Sequence, residues 1–322
     1  MLSSRLEFKI FGRNRNRNGL VRPPVVTFLP RRAAPWVSQL FRKQASMRRI
    51  RTVQALLGTA VMAGGIAMAV PAAQAVSIPV ACSENALVAA VTLANSTPAP
   101  DTLVLTPGCT YAMTASHGGP ANALPVITTS IELIGPATMT RASLLPFRIA
   151  EVRGPGGLTL TTGVAFTNGG VVGNGGAILN HGAVTLTGSS LTGNTATGSG
   201  GGLANIANAA GPAPAATFTG SSVTGNTALG NGGGIYNGPG ATLTTTSVQL
   251  ADNTATRRGG GLAAITSAAT TLTSTTVTGN QATTAGGVYR QDGVITVTTS
   301  PITANAPNNC VGSSPPVPAC AG

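Results

Sequence analysis

The chain is 322 residues long and 42% hydrophobic, with only 3% aromatic and 8% charged residues, and it carries a formal net charge of +12. A basic excess of that size argues for attraction to phosphates, yet thirteen of the nineteen basic residues lie at or before Arg51, with one acid, Glu7, among them. From Val76 onward six arginines balance six acids and there is no lysine, so the charge gives no argument for a nucleic-acid partner of that part.

The leader comes first in chain order. Met47-Arg48-Arg49-Ile50-Arg51 is a basic n-region, Ala55 to Val70 an apolar h-region, and Ala73-Gln74-Ala75 a small-x-small cleavage site. Together they predict a signal peptide over 47–75, cut between Ala75 and Val76, and an extracellular product of a bacterial cell. The apolar run, closed by Pro71, falls short of the ~20 residues a spanning helix needs, so no membrane span is expected in the mature chain. Pro79 stands where a lipoprotein anchor at Cys82 would need a leucine-like residue. Residues 1–46 have no apolar periodicity and read either as a start codon assigned too early or as a genuine extension of the leader.

All four cysteines, Cys82, Cys109, Cys310 and Cys320, follow the cleavage site, an even number for an oxidising compartment. Pairing neighbours, Cys82 with Cys109 and Cys310 with Cys320, is the simplest arrangement, although four cysteines allow three connectivities. With no C-x-x-C and with His117 and His181 far from any cysteine, no metal or cofactor site is predicted.

Between Cys82 and Leu93 the pattern Leu87-Val88, Val91, Leu93 predicts a short amphipathic helix with Ser83 as N-cap, and Asp101 to Leu105 and Gly108 to Tyr111 read as a first coil. The chain then repeats. Gly-Gly-x-branched elements place Ile178, Leu203, Ile235, Leu262 and Val288 at steps of 25, 32, 27 and 26 residues. A second element ends at Asn194, Asn226, Asn253, Asn280 and Asn305, with steps of 32, 27, 27 and 25. The long step in both series spans Ala207 to Ala216, which reads as a loop inserted into one turn.

A third element is Thr-x-Thr with an apolar centre at Leu160, Leu186, Phe218, Leu243, Leu272 and Val297. Alternation at period two with β-branched residues is a strand signal, and three short strands in 25 to 27 residues fit one coil of a β-solenoid. The six centres are expected to stack as one inward column with their flanking threonines facing solvent. Each asparagine is expected at a bend, either in left-handed backbone or using its amide to satisfy the turn. The predicted fold is all-β, a right-handed parallel β-helix over 76–305 with an N-terminal cap at 82–111 and a disulfide-bearing tail at 306–322.

These Gly-Gly-x-Ile-x-Asn and Thr-Gly-Asn-Thr-Ala elements, from about Gly163 to Asn305, resemble the repeats of polymorphic outer-membrane proteins and their secreted relatives in the pectate-lyase-like β-helix superfamily. The helix before the first coil resembles the N-terminal cap of such proteins, which covers the open apolar end of the solenoid. The resemblance implies a fold, because the superfamily holds enzymes, adhesins and passive surface proteins alike.

Lyases of that superfamily use clustered aspartates for calcium, and hydrolases need several carboxylates around one bond. The mature part has six acids, none adjacent to another. The densest charged group is Glu132, Arg141, Arg148, Glu151 and Arg153, of which Glu132, Glu151 and Arg153 are expected to face outward as a solvated ion-pair face. His117 and His181 read as loop histidines, and Arg257-Arg258 and Arg290-Gln291-Asp292 as exposed turns. No catalytic residue is assigned. The expected function is that of a secreted, non-catalytic structural or adhesive protein whose partner is a polysaccharide or cell-surface component. A carbohydrate-active enzyme and an ice-binding threonine solenoid are the alternatives.

Overall fold

The computed structural model describes residues 74–161, 163–208 and 211–322. The reading of residues 1–46, and of the signal peptide as far as residue 73, lies outside the described residues.

The described chain is a parallel β-solenoid built on three stacked sheets of thirteen, eight and four strands, with one helix, α1, at Glu84–Ala94. The sequence reading took Asp101 as the start of the first coil. A strand at Ser77–Val80 precedes it and pairs in parallel with Asp101–Leu105, giving the thirteen-stranded sheet its first strand. Ser83 caps α1 as expected, its Oγ accepting from the Ala86 amide at 3.2 Å. Leu87, Ala90, Val91 and Ala94 are the helix's buried face, while Leu93, counted on the apolar side from sequence, is 55% exposed. Asn95 ends α1 and ties it to the next coil, its amide donating to the Val126 carbonyl at 2.8 Å and accepting from the Thr128 N–H at 2.9 Å. The Cys82–Cys109 disulfide joins the start of the cap to the first coil, and Cys310–Cys320 closes the C-terminal tail.

The core consists of columns running along the solenoid. Ile178, Leu203, Ile235, Leu262 and Val288 lie in register with no exposure, and Phe166, Leu191, Val223, Leu250, Val277 and Ile302 form a second buried column in the eight-stranded sheet, only the terminal Ile302 showing any exposure, 5%. Burying each such side chain contributes roughly 1.5–3 kcal/mol.

The expected Thr-x-Thr column is right for five of its six members. Leu160, Leu186, Phe218, Leu272 and Val297 share it, but the residue between Phe218 and Leu272 is Thr245. Leu243 also points inward, one column over, in register with Ala216 and Thr270. The segment Thr242–Thr246 contains two overlapping Thr-x-Thr frames, and pairing with the neighbouring strands selects the second.

The asparagines form buried ladders. From Asn194 through Asn226, Asn253, Asn280 and Asn305 to Asn309, each Nδ2 donates to the next Oδ1 at 2.9–3.0 Å. Left-handed backbone falls on the residue before the asparagine in this ladder: Gly193, Gly225, Asp252, Gly279 and Ala304 have φ between 54° and 68°. Of the two expected roles for these asparagines, the amide role holds. A second ladder, Asn180 to Asn205 to Asn237 at 2.8 Å per step, ends where Ala264 replaces the next asparagine; Asn237 donates instead to the buried Thr270 hydroxyl at 2.9 Å.

Candidate binding face

The Thr-x-Thr strands are consecutive neighbours in the thirteen-stranded sheet, so their outward residues line up in ranks. One rank is Thr159, Thr185, Thr217, Thr244, Thr271 and Thr296; the second is Thr161, Thr187, Thr219, Thr246, Thr273 and Thr298. Six of these side chains are exposed and six half-buried, as alternation predicts. A third rank beside them, Gly157, Ala183, Ala215, Thr242 and Ala269, is small and uncharged. Strand geometry sets the lattice at roughly 4.8 Å between coils and roughly 6.7 Å between ranks. Among the described residues only Thr161 of the twelve spends its hydroxyl on protein, donating to the Leu133 carbonyl at 3.4 Å. The other hydroxyls, each beside a methyl, are free to meet solvent or a ligand. No charged side chain stands in the three ranks; Glu132 borders them, opposite Thr159 and 3.4 Å from the Thr102 hydroxyl.

The acids expected to stand together on the surface do not do so. Glu132 is half-exposed as predicted and Arg153 is exposed, but Glu151 and Arg148 are buried, at 6% and 5% exposure. The long segment after Met113 runs alongside this part of the sheet in parallel pairing: Asn122 bridges to Arg148 and Ile127 to Val152, and the Asn122 side chain donates to Glu151 Oε2 at 2.9 Å. Arg153 contacts Glu151 Oε1 at 2.6 Å and Arg148 contacts Oε2 at 3.5 Å, while Arg148 also donates to the Asn122 side chain and to the Gly175 and Asn174 carbonyls. Burial would raise the Glu151 carboxyl, but the Asn122 and Arg153 hydrogen bonds and the two guanidinium charges hold it below the usual range. Every oxygen of this carboxylate is committed to structure.

His117 has a partner that the sequence did not reveal, Glu84, 33 residues away at 2.9 Å. The same carboxylate accepts from the Thr114 hydroxyl and from the Thr114 and Ala115 amides. Burial opposes its ionisation, yet these donors together bring it from 4.5 to about 2. It therefore binds the cap helix to the loop as a fixed anion and holds no proton to exchange near neutrality. His181, read from the sequence as a loop residue in a turn between two strands, instead lies within the continuous strand Ile178–Thr187, its Nδ1 2.6 Å from the Ile206 carbonyl. Arg258 sits 5.0 Å over the Tyr289 ring and donates to Gln291 at 3.1 Å, so this turn is packed as well as exposed. Among the described residues no group of three or more His, Cys, Asp or Glu is placed to hold a metal, and no helix is long and apolar enough to cross a membrane.

No family model matches the chain, and searches of curated proteins and of solved structures return no match.

Proposed function

We propose that this is a secreted, non-catalytic β-helix protein of the polymorphic outer-membrane-protein repeat type within the pectate-lyase-like superfamily, and that it binds an extended uncharged surface through its threonine ranks. The observation that carries the reading is the run of six strands in unbroken register, presenting paired hydroxyls of which all but that of Thr161 are without a protein partner among the described residues, with no intervening charge. Cavity sites for small substrates are concave and gather a few polar groups around one point. A periodic array instead repeats one weak contact many times, which suits a ligand that is itself periodic. A polysaccharide, whose hydroxyls recur along the chain, is the ligand class.

The same array favours a second reading, adsorption to ice, because hydroxyl and methyl alternate on a regular lattice that can order water. One pair of assays separates the two. The exported protein is sedimented with insoluble polysaccharides and, in parallel, partitioned between growing ice and liquid. Retention on a polysaccharide supports the first reading, and enrichment in ice the second. Soluble protein in both assays, or release of sugar fragments from any polysaccharide, would overturn the proposal.

A further inference from the structure

Asp101 is 2% exposed at the junction of the cap and the first coil. Its Oδ2 accepts from the Thr97 hydroxyl at 2.6 Å and its Oδ1 from the main-chain N–H of Val76 at 2.9 Å. Among the described residues no arginine or histidine forms an ion pair with it. A buried carboxylate with only neutral donors is costly unless a cation joins it. The donor at 2.9 Å belongs to the residue that follows Ala73-Gln74-Ala75, and Gln74 and Ala75 are exposed.

We infer that cutting the Ala75–Val76 bond creates the missing cation, so that the new α-ammonium group of Val76, a residue 47% exposed, forms a partly buried ion pair with the buried carboxylate of Asp101 and locks the first strand onto the cap. The inference rests on the export reading. A host signal peptidase adds water across the peptide bond: hydroxyl goes to the Ala75 carbonyl, which leaves with the leader as a carboxylate, and the Val76 nitrogen takes up protons to become an ammonium. No rearrangement is needed. The Val76 carbonyl already accepts from the Thr102 N–H at 2.9 Å, and Ser77–Val80 is already paired with Thr102–Leu105. Cleavage thus converts a neutral hydrogen bond into a charge-assisted one in place. Two other acids of this end of the solenoid are occupied elsewhere, Glu132 with Thr102 and Glu84 with Thr114 and His117. The precursor lacks this pair, so its first coil is held less firmly than that of the processed chain.

The sequence supplies a clean readout. Residues 76–322 contain no lysine, so the Val76 α-amino group is the sole primary amine of the processed protein. The full-length chain is expressed in a secreting bacterial host, its exported form sequenced from the N-terminus, and the amine labelled at neutral pH with an amine-reactive ester. An adjacent carboxylate raises an amine's pKa by about one unit or more, so native protein should label about tenfold or more slowly than Asp101→Asn protein. Inserting one alanine between Ala75 and Val76 keeps the amide donor but moves the charge, and should give fast labelling and a lower thermal midpoint without disturbing folding. A terminus other than Val76 would overturn the processing site. Equal labelling of native, Asp101→Asn and inserted proteins, each carrying its intended terminus, would overturn the ion pair while leaving export intact.

Discussion

Thr245 and Thr275 share a hydrogen bond of 2.9 Å inside the apolar core, both with no solvent exposure. Thr245 occupies the place of a leucine in the column between Phe218 and Leu272. Its hydroxyl also reaches the Thr271 carbonyl at 3.3 Å, and Thr275 separately donates to the Thr273 carbonyl at 3.1 Å. Thr245→Val conserves volume and leaves Thr275 with that second partner, so its cost should stay within about 1 kcal/mol. Thr245→Leu restores the column's usual residue but adds volume to a core packed around threonine, and should cost about 1–3 kcal/mol. Urea midpoints of the two variants test this ordering; a valine variant less stable than the leucine variant would refute it.

The alternation itself is tested by neighbouring residues of opposite orientation. Leu186 has no exposure, and Leu243, despite its shifted column, has 1%. Truncating either to alanine should cost about 2–5 kcal/mol by leaving a cavity. Thr187→Ala and Thr244→Ala, at exposed positions, should change stability by no more than about 0.5 kcal/mol. Equal losses at both kinds of position in a denaturation series would contradict the inward and outward assignment.

The repeat made the solenoid legible because glycine turns and period-two threonine strands recur at nearly constant spacing, which fixes what stacks on what. Register within a strand was less legible. Thr242, Thr244 and Thr246 offer two frames of the same motif, and only the positions of Phe218 and Leu272 on either side decide between them. The burial of Glu151 was hidden for a different reason: the segment containing Asn122 and Ile127 pairs beside its strand, and the side chains of Asn122, Arg148 and Arg153 converge on the carboxylate. The Glu84–His117 pair joins residues 33 apart through the docking of α1, a tertiary event with no local pattern. The threonine ranks could be seen in the sequence as a column, but only the strand pairing shows them to be double and unbroken over six coils.

The long asparagine ladder should behave as one unit. Asn226 accepts from both the main-chain N–H and the side-chain amide of Asn194, and donates to Asn253 and to the Leu191 carbonyl at 3.0 Å. Asn226→Ala strands several buried groups on both neighbouring coils and should cost about 2 kcal/mol or more. A double-mutant cycle with Asn253→Ala should be non-additive, the second removal costing less than the first. Additive losses would mean the rungs act independently.

Acid should loosen the cap through Glu84. Its carboxyl is held at about 2 in the folded chain against an ordinary 4.5. A depressed folded-state value means that the carboxylate's contribution is fully present above about pH 4.5 and is lost as pH falls through that value toward about 2. Glu84→Gln should lower the thermal midpoint at pH 6 and flatten its decline between pH 5 and pH 2 relative to the native chain. Parallel midpoint profiles for the two proteins would show that Glu84 is not the group responsible.

Substitutions within the threonine ranks can tell which part of the threonine side chain makes the contact. Thr217 and Thr244 are adjacent exposed members of one rank, in register across neighbouring strands. Changing both to valine keeps the branched shape and strand preference but removes two hydroxyls, whereas changing both to serine keeps the hydroxyls and removes the methyls. Changing Thr217 alone to tyrosine raises a ring above the lattice without adding charge. All three proteins should remain folded, with stability changes within about 1 kcal/mol, because the sites are exposed and outside the hydrogen-bond ladders. If a polysaccharide is bound through its hydroxyls, the valine pair should weaken retention several-fold, the serine pair little, and tyrosine should abolish it. If ice is the ligand, methyl and hydroxyl both contribute to ordering water, so all three should lose activity. Thr192→Tyr, on the neighbouring eight-stranded sheet where the Thr192 hydroxyl lies 3.3 Å from that of Thr224, is the control and should leave binding unchanged. Loss of binding in that control, with binding intact after Thr217→Tyr, would move the contact surface to the other sheet.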